Sequence, residues 1–312
     1  MIKKTLYFGN PAYLSGKDGQ LKIKLPAEEE PPDLKNLGSI PIEDIGLLIL
    51  DNNQITITEG LIAALLENKC AVIPCNSSHM PSGMLLPLDA NQTQSEMFKE
   101  QISASLPLKK QLWKQTVSMK IRNQAAVLYK YYNNINSLIR LSKLVQAGDR
   151  TNCEGRAAAY YWKYLFPKGL EFERDRSGAP PNNLLNYSYA ILRAVTARSL
   201  VSSGLLPTLG IHHTNKYNAY CLADDIMEPY RPYADLIVAE IVENGEDFTK
   251  LTPSIKKQLL ELPAVTVTIN EETSPLMVAM QRTTASLAKC YRGDLRKISY
   301  PEIPICNSTS IE

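Results

Sequence analysis

The chain is poor in the residues that most often announce a function. Its 312 residues include only three histidines, five phenylalanines and two tryptophans. No apolar run approaches the roughly 20 residues of a membrane-spanning helix, and the strongest candidate, Ile45 to Leu50, is far too short. The six cysteines (Cys70, Cys75, Cys153, Cys221, Cys290 and Cys306) form no C-x-x-C pair. The paired spacing of a zinc ribbon is therefore missing, and scattered thiols suit a reducing compartment. Met1-Ile2-Lys3-Lys4 runs straight into strand-like residues, without the apolar core or cleavage site of a signal peptide. Neither an internal repeat nor a low-complexity tract is present. The expectation is a protein with no membrane segment, located in the cytoplasm. At 44% hydrophobic and 21% charged it has the composition of a folded chain, and its length suits two domains.

A net charge of +2 hides an asymmetry. Residues 1–98 carry 7 Lys/Arg against 12 Asp/Glu, whereas residues 99–150 carry 10 against 2. A locally basic segment fits a polyanionic partner, or equally a solvated helix face.

The pattern of residues changes along the chain in a way that predicts an α+β fold. Residues 1–80 read as a small, β-sandwich-like N-terminal domain. Its strands are expected near Thr5–Phe8, Ile40–Ile42, Ile45–Leu50 and Cys70–Pro74, with a hairpin over Tyr13–Lys24 and a short helix over Glu59–Asn68. Glu28 to Asp33 is acidic and proline-bearing, a loop. Residues 81–94 hold prolines and a glycine and read as a linker. Residues 95–300 read as a larger all-α catalytic domain, and residues 301–312 as an extended tail. Within the helical part, Glu96 to about Gln146 predicts two helices divided at Pro107. The second has a buried stripe running from Leu112 through Tyr132 to Leu141, with its basic residues largely elsewhere. Helices are also expected over Cys153–Leu165, Leu184–Ser203, Ala219–Val242, Pro253–Leu262 and Pro275–Arg292, with Pro229 and Pro232 bending the third of these.

Three stretches of the helical part carry chemistry. Glu154 sits in the first turn of a helix, where an acid also serves the helix dipole. His212 and His213 lie side by side on a loop and cannot both face one way, so one is a candidate ligand or base and the other structural. Asp225 and Glu228, three apart, share a helix face and repel unless a cation offsets them; Asp224 adjoins them. Oxygens with one imidazole suit Mg²⁺ or Mn²⁺, and such a site performs phosphoryl transfer. Arg156, Arg193, Arg198, Lys216 and Arg231 are candidates to neutralise phosphates, and Arg174 and Arg176 to track a strand.

These residues resemble a known family. Cys153-Glu154-Gly155-Arg156-Ala157-Ala158, Leu209-Gly210-Ile211-His212-His213 and Asp225-Ile226-Met227-Glu228-Pro229-Tyr230-Arg231-Pro232 are similar to motifs of the CRISPR-associated integrases, the first-numbered Cas proteins. The likeness extends to Ile40–Ile45, Ser82–Pro87 and Pro181-Asn182-Asn183. The combination of Asn182-Asn183 with Gly-Ile-His-His is similar to the type II branch. The resemblance implies a small β domain and a helical domain with one metal site. It implies a homodimer that joins a second small CRISPR-associated adaptation subunit, and admits the type II effector nuclease as a further partner. It implies double-stranded DNA as substrate, both spacer precursor and CRISPR repeat. The family's metal-binding, catalytic residues fall on Glu154, His213 and Glu228; Asp225 matches an acid at or beside the metal, and Lys216 a basic residue near DNA. The expected activity is insertion of short duplex DNA into a repeat array, with accompanying nuclease activity. The alternatives are a general metal-dependent nuclease or branched-DNA resolvase, and a nucleic-acid-binding scaffold without catalysis.

Overall fold

The computed structural model describes residues 3–26 and 39–305. The acidic loop expected over Glu28 to Asp33, Cys306 and the end of the tail lie outside them. The chain begins with β1 (Lys4–Phe8), β2 (Tyr13–Lys17), β3 (Gln20–Lys24), β4 (Ile40–Pro41), β5 (Ile45–Leu50), β6 (Thr56–Ile57), α1 (Glu59–Glu67) and β7 (Ala71–Pro74). These form two sheets. One is parallel, in the order β1-β5-β7; the other runs β4-β3-β2-β6. The β2–β3 hairpin turns at Asp18-Gly19, both at positive φ, the conformation that matches the twist of the paired strands.

Leu14 and Leu21 of the second sheet pack with Ile45, Leu48 and Val72 of the first, and with Leu61 and Leu65 of α1, all buried. The opposite face of the parallel sheet is buried too. Leu47, Ile49, Ala71 and Ile73 belong to the core of the helical part. A strand covered on both faces has no polar alternation, which accounts for the unbroken apolar run of β5.

The helical part holds α2 (Gln94–Ser103), α3 (Leu106–Tyr129), α4 (Asn136–Leu144), α5 (Cys153–Leu165), α6 (Asn182–Ser202), α7 (Cys221–Met227), α8 (Arg231–Glu243) and α9 (Pro253–Leu260). After these come β8 (Thr266–Ile269), β9 (Glu272–Pro275) and α10 (Leu276–Arg292). Three helices replace the two expected between Glu96 and Gln146. The division expected at Pro107 is present between α2 and α3, with Pro107 in the first turn of α3 behind the Ser105 cap; the break before α4 was not expected. The chain then turns at residues 130–135, where apolar Tyr132 and Ile135 kept the periodicity running although the helix had ended. The β8–β9 hairpin was not foreseen. It turns at Asn270 and Glu271, both at positive φ, and its short Thr-Val-Thr-Ile alternation was its sequence signal.

α6 lies at the centre, with Leu184, Leu185, Tyr187, Ile191, Leu192 and Val195 buried. Below it, α3, α5 and the α7–α8 junction converge. Between α7 and α8, residues Glu228–Tyr230 form a single tight 3₁₀ turn. Pro229 and Pro232 lack the N–H that a continuous helix would use at those positions, so the bend expected there is set by sequence.

Candidate active site and arginine-lined cleft

Glu154 is held at the start of α5, yet it is not the cap. The donors of that terminus are taken by other residues: Asp149 accepts from Cys153 N at 2.8 Å and Glu154 N at 2.9 Å. The Asn152 side chain accepts from Gly155 N at 3.1 Å. The Glu154 carboxylate turns instead to the side chain of Lys120, on α3. Lys120 Nζ donates to Glu154 Oε1 at 2.7 Å and lies 2.6 Å from Glu228 Oε2. Lys120 is only 8% exposed, contrary to the expectation that the bases of α3 point away from its buried stripe. Burial alone would push its pKa down; Glu228 and Glu154 outweigh that and hold it above the usual lysine value.

Glu228 is buried in the 3₁₀ turn and faces two cations, Lys120 and Arg231, whose NH2 is 3.0 Å from Oε1. Burial would raise its pKa, but Arg231 and Lys120 keep it below the ordinary carboxylate value. Oε2 lies against the Lys120 ammonium, so each oxygen of this buried carboxylate faces one cation and no neutral donor among the described residues.

The histidine loop is fastened by Asp225. This fully buried carboxylate accepts Ile211 N and His212 N at Oδ2 (2.7 and 2.9 Å) and His213 N at Oδ1 (3.2 Å). His213 Nδ1 lies 2.5 Å from the same Oδ1. An ionised carboxylate can only accept, so Nδ1 carries the hydrogen and Nε2 is free. The Asp225 bond raises the His213 pKa against the effect of burial, and Glu228 and Glu154 add to the rise. The His212 ring stacks on Trp113 with centroids 4.2 Å apart and planes at 3°, while His213 meets the same indole edge-on. The two histidines divide by partner, since only the His213 ring bonds Asp225. The loop closes this tightly because residue 210 is glycine: a Cβ there would meet His213 O at 2.3 Å and Asp225 Oδ2 at 2.8 Å.

The repulsion expected between Asp225 and Glu228 is relieved by the protein itself. Asp225 is matched by three backbone N–H groups and an imidazole, Glu228 by Lys120 and Arg231. Asp224 is matched separately, by Arg193 Nε at 2.6 Å and Asn218 Nδ2 at 2.7 Å. As they stand, no three acidic, thiol or imidazole groups among the described residues are gathered closely enough to hold an ion. The donors nevertheless fit a hard divalent cation. Two carboxylates already clasp one positive charge, and an oriented imidazole leaves Nε2 unused.

Beside Glu228 opens a cleft of about 450 Å³ lined by Arg174, Arg176, Asn186, Tyr189, Arg193 and Arg231, among others. Arg174 is fixed by Asn182 Oδ1 and Asn186 Oδ1 at 2.8 and 2.9 Å. It and Arg231 both lie over the Tyr189 ring. The Tyr189 hydroxyl in turn donates to buried Asp235 at 2.5 Å. Four guanidiniums in one cleft suit an anionic chain of phosphates. Arg156 and Lys216 are exposed and do not line the cleft. Arg198 is a correction to the expected DNA-contacting set: it is 7% exposed and its Nε donates to Lys69 O at 2.6 Å, tying α6 to the N-terminal sheets. Lys120, Trp113, Asp235 and Tyr189 were missed. In sequence they are ordinary members of amphipathic helices.

Carboxylates and an imidazole joined through Arg231 to an arginine-lined cleft, on a helical domain beside a small β domain, make the arrangement of a protein that handles phosphate esters of a polyanion. Comparison with known proteins makes it specific. Residues 6–256 match the family model described as CRISPR associated protein Cas1, and the chain belongs to that family. It is 35% identical over 306 residues to the CRISPR-associated endonuclease Cas1 of Neisseria meningitidis serogroup C (strain 8013), covering 97% of each chain. Among solved structures, a casposase bound to integration product superposes with a TM-score of 0.77 at 20% identity, covering 100% of this chain and 96% of the other. A chain of a Cas6-RT-Cas1–Cas2 complex superposes at 0.69 and 19% identity, covering 94% and 35%. At such identities these two likenesses speak for the fold.

Proposed function

We propose that the chain is the integrase of CRISPR adaptation, a metal-dependent DNA endonuclease and transesterase that inserts short duplex DNA into the repeat array. The single observation that carries this reading is the pairing of Glu154 and Glu228 through Lys120, with Arg231 of the arginine-lined cleft on Glu228, in a member of a family whose relatives are called endonucleases.

In this reading Glu154, Glu228 and the Nε2 of His213 hold Mg²⁺ or Mn²⁺. When bound, the ion supplies Lewis-acid polarisation of the scissile phosphate and charge stabilisation for attacking and leaving oxygens. The protein does the rest. Asp225 fixes the His213 tautomer by taking its Nδ1 hydrogen, so the Nε2 lone pair points outward, as ligating histidines require. Arg174, Arg176, Arg193 and Arg231 seat the phosphates of the incoming strand, so its 3′-hydroxyl is delivered beside the carboxylates. Arg156 and Lys216, outside the cleft, meet DNA on the surrounding surface. Hydrolysis follows the same course with water as nucleophile.

The partners follow from the same reading. They are spacer-precursor and repeat duplexes, a second copy of this chain, and a small adaptation subunit, the Cas2 named in the complex containing one structural relative. The type II effector nuclease is a further partner to test. The location is the cytoplasm; among the described residues no helix is long and apolar enough to cross a membrane.

The test is an integration assay with a pre-processed duplex and a supercoiled repeat target, with and without the small subunit, across Mg²⁺, Mn²⁺ and chelator. Strand joining that needs a divalent ion and is lost in Glu154→Ala is the expected result. Cutting of branched DNA without joining would replace this reading with a resolvase. Salt-sensitive binding without strand chemistry would replace it with a scaffold.

A further inference from the structure

The position of Lys120 has a consequence that rests on the metal reading above and goes beyond it. Its ammonium stands between Glu154 and Glu228, 2.7 and 2.6 Å from one oxygen of each. Arg231 already occupies the other oxygen of Glu228. Lys120 is 8% and Glu228 2% exposed, and Glu154 is half-buried. Two carboxylates this shielded do not both stay charged side by side without a cation. In the ion-free protein, Lys120 is that cation.

A divalent ion held by the same two carboxylates would put three cationic groups (the ion, Arg231 and Lys120) against two carboxylates, and at these distances the repulsion is strong. The ammonium and the ion therefore exclude each other. The lysine side chain is long and unbranched, and can leave by rotation without moving α3. The nearest comparable network differs in this respect. Lys256 pairs with buried Asp51 at 2.7 Å, but there Tyr7 and His79 complete the carboxylate. At Glu228 no neutral donor does so among the described residues; only Lys120 and Arg231 reach it.

We infer that Lys120 is a built-in counter-ion that holds Glu154 and Glu228 together before metal binding and is displaced by the metal. The site is thereby kept assembled without an ion, at the cost of a weaker affinity for one.

Calorimetric Mn²⁺ titration and thermal melting of the full chain test this, comparing wild type with Lys120→Met and Lys120→Arg. The neutral variant should melt lower than wild type in chelator. It should bind Mn²⁺ about tenfold more tightly, the usual size of coupling between two ligands of one site, and gain more in Tm from Mn²⁺. Lys120→Arg should keep the wild-type affinity to within a few-fold. Wild-type binding with no gain in Lys120→Met overturns the role of Lys120 alone. Binding by neither protein overturns the metal reading, and this inference with it. A second measurement needs no variant. Acylation of lysines in the wild-type chain, read by mass spectrometry, should be slow at Lys120 without metal and faster with Mn²⁺, while exposed lysines stay unchanged. Equal labelling of Lys120 with and without bound Mn²⁺ contradicts displacement.

Discussion

His213 Nδ1 lies 2.5 Å from Asp225 Oδ1, and the same carboxylate accepts the backbone N–H groups of residues 211, 212 and 213. One buried acid thus sets the shape of the loop and the direction of its imidazole. This leaves Asp225 little capacity for a metal of its own, and makes it the residue that presents the histidine.

Asp225→Asn should damage both functions of that acid. An amide places an N–H₂ against donors that need an acceptor. A loss of about 2–4 kcal/mol in stability is expected, with strand joining reduced about 10–100-fold. Urea unfolding and the integration assay with excess Mn²⁺ measure the two. Wild-type joining with reduced stability would limit Asp225 to a purely structural role.

Gly210→Ala tests the close approach of the loop to Asp225. The new methyl would meet backbone and a carboxylate oxygen, neither of which yields cheaply. Overpacking of this kind costs about 1–3 kcal/mol. Far-UV circular dichroism should stay helical while joining falls, because one added methyl leaves the hydrogen bonds within the helices in place.

Two arginines should behave in opposite ways. Arg176 lines the cleft and is exposed. Arg176→Ala should leave the melting temperature in place and lower the salt dependence of duplex binding by about one unit of slope. Arg198→Met removes a buried donor from Lys69 O. It should cost about 1–3 kcal/mol of stability and leave the salt slope alone. Fluorescence anisotropy over a salt series decides both.

Asp235 makes stability depend on pH. Burial pushes its pKa up to about 7, only partly opposed by the hydroxyls of Tyr189 and Tyr161 and by Arg231 and Arg174. A raised folded-state pKa means that its contribution is fully present below the unfolded value near 3.8 and is lost as pH rises through about 7. Asp235→Asn should therefore lose the falling limb between about pH 4 and 7. The wild-type-minus-variant difference should shift by a few kcal/mol across that window. Chemical denaturation at pH 4.5 and 7.5 would show it, and a constant difference would refute it.

Much of the fold was legible because it is written locally. The unbroken run Ile45–Leu50, the turn at Asp18-Gly19 and the prolines at 229 and 232 each impose backbone geometry without help from distant residues. Periodicity failed where apolar residues kept its phase through a turn, at Tyr132 and Ile135, and where an alternation was only four residues long, at β8. Glu154, Asp225, Glu228 and the adjacent histidines stand out as candidates because they sit in motifs that resemble a known family, in a chain with only three histidines.

What sequence alone could not supply was partnership. The spacing of α3 puts Lys120 on the buried side with Trp113, Thr116 and Val117, but does not say what it meets there. It becomes a site residue because α5 and the α7–α8 turn bring two carboxylates to one point of that helix. Which histidine faces them is likewise a tertiary matter, decided when Asp225 claims His213 and Trp113 stacks with His212. Arg198 shows the converse: a charge that reads as a phosphate contact is buried by the neighbouring sheet and given to a backbone carbonyl. Sequence set the residue types and the local backbone, which follow from sterics and burial along one segment. Which charges meet was decided by packing, because charges separated by 34 and 108 positions interact only when the fold makes them neighbours.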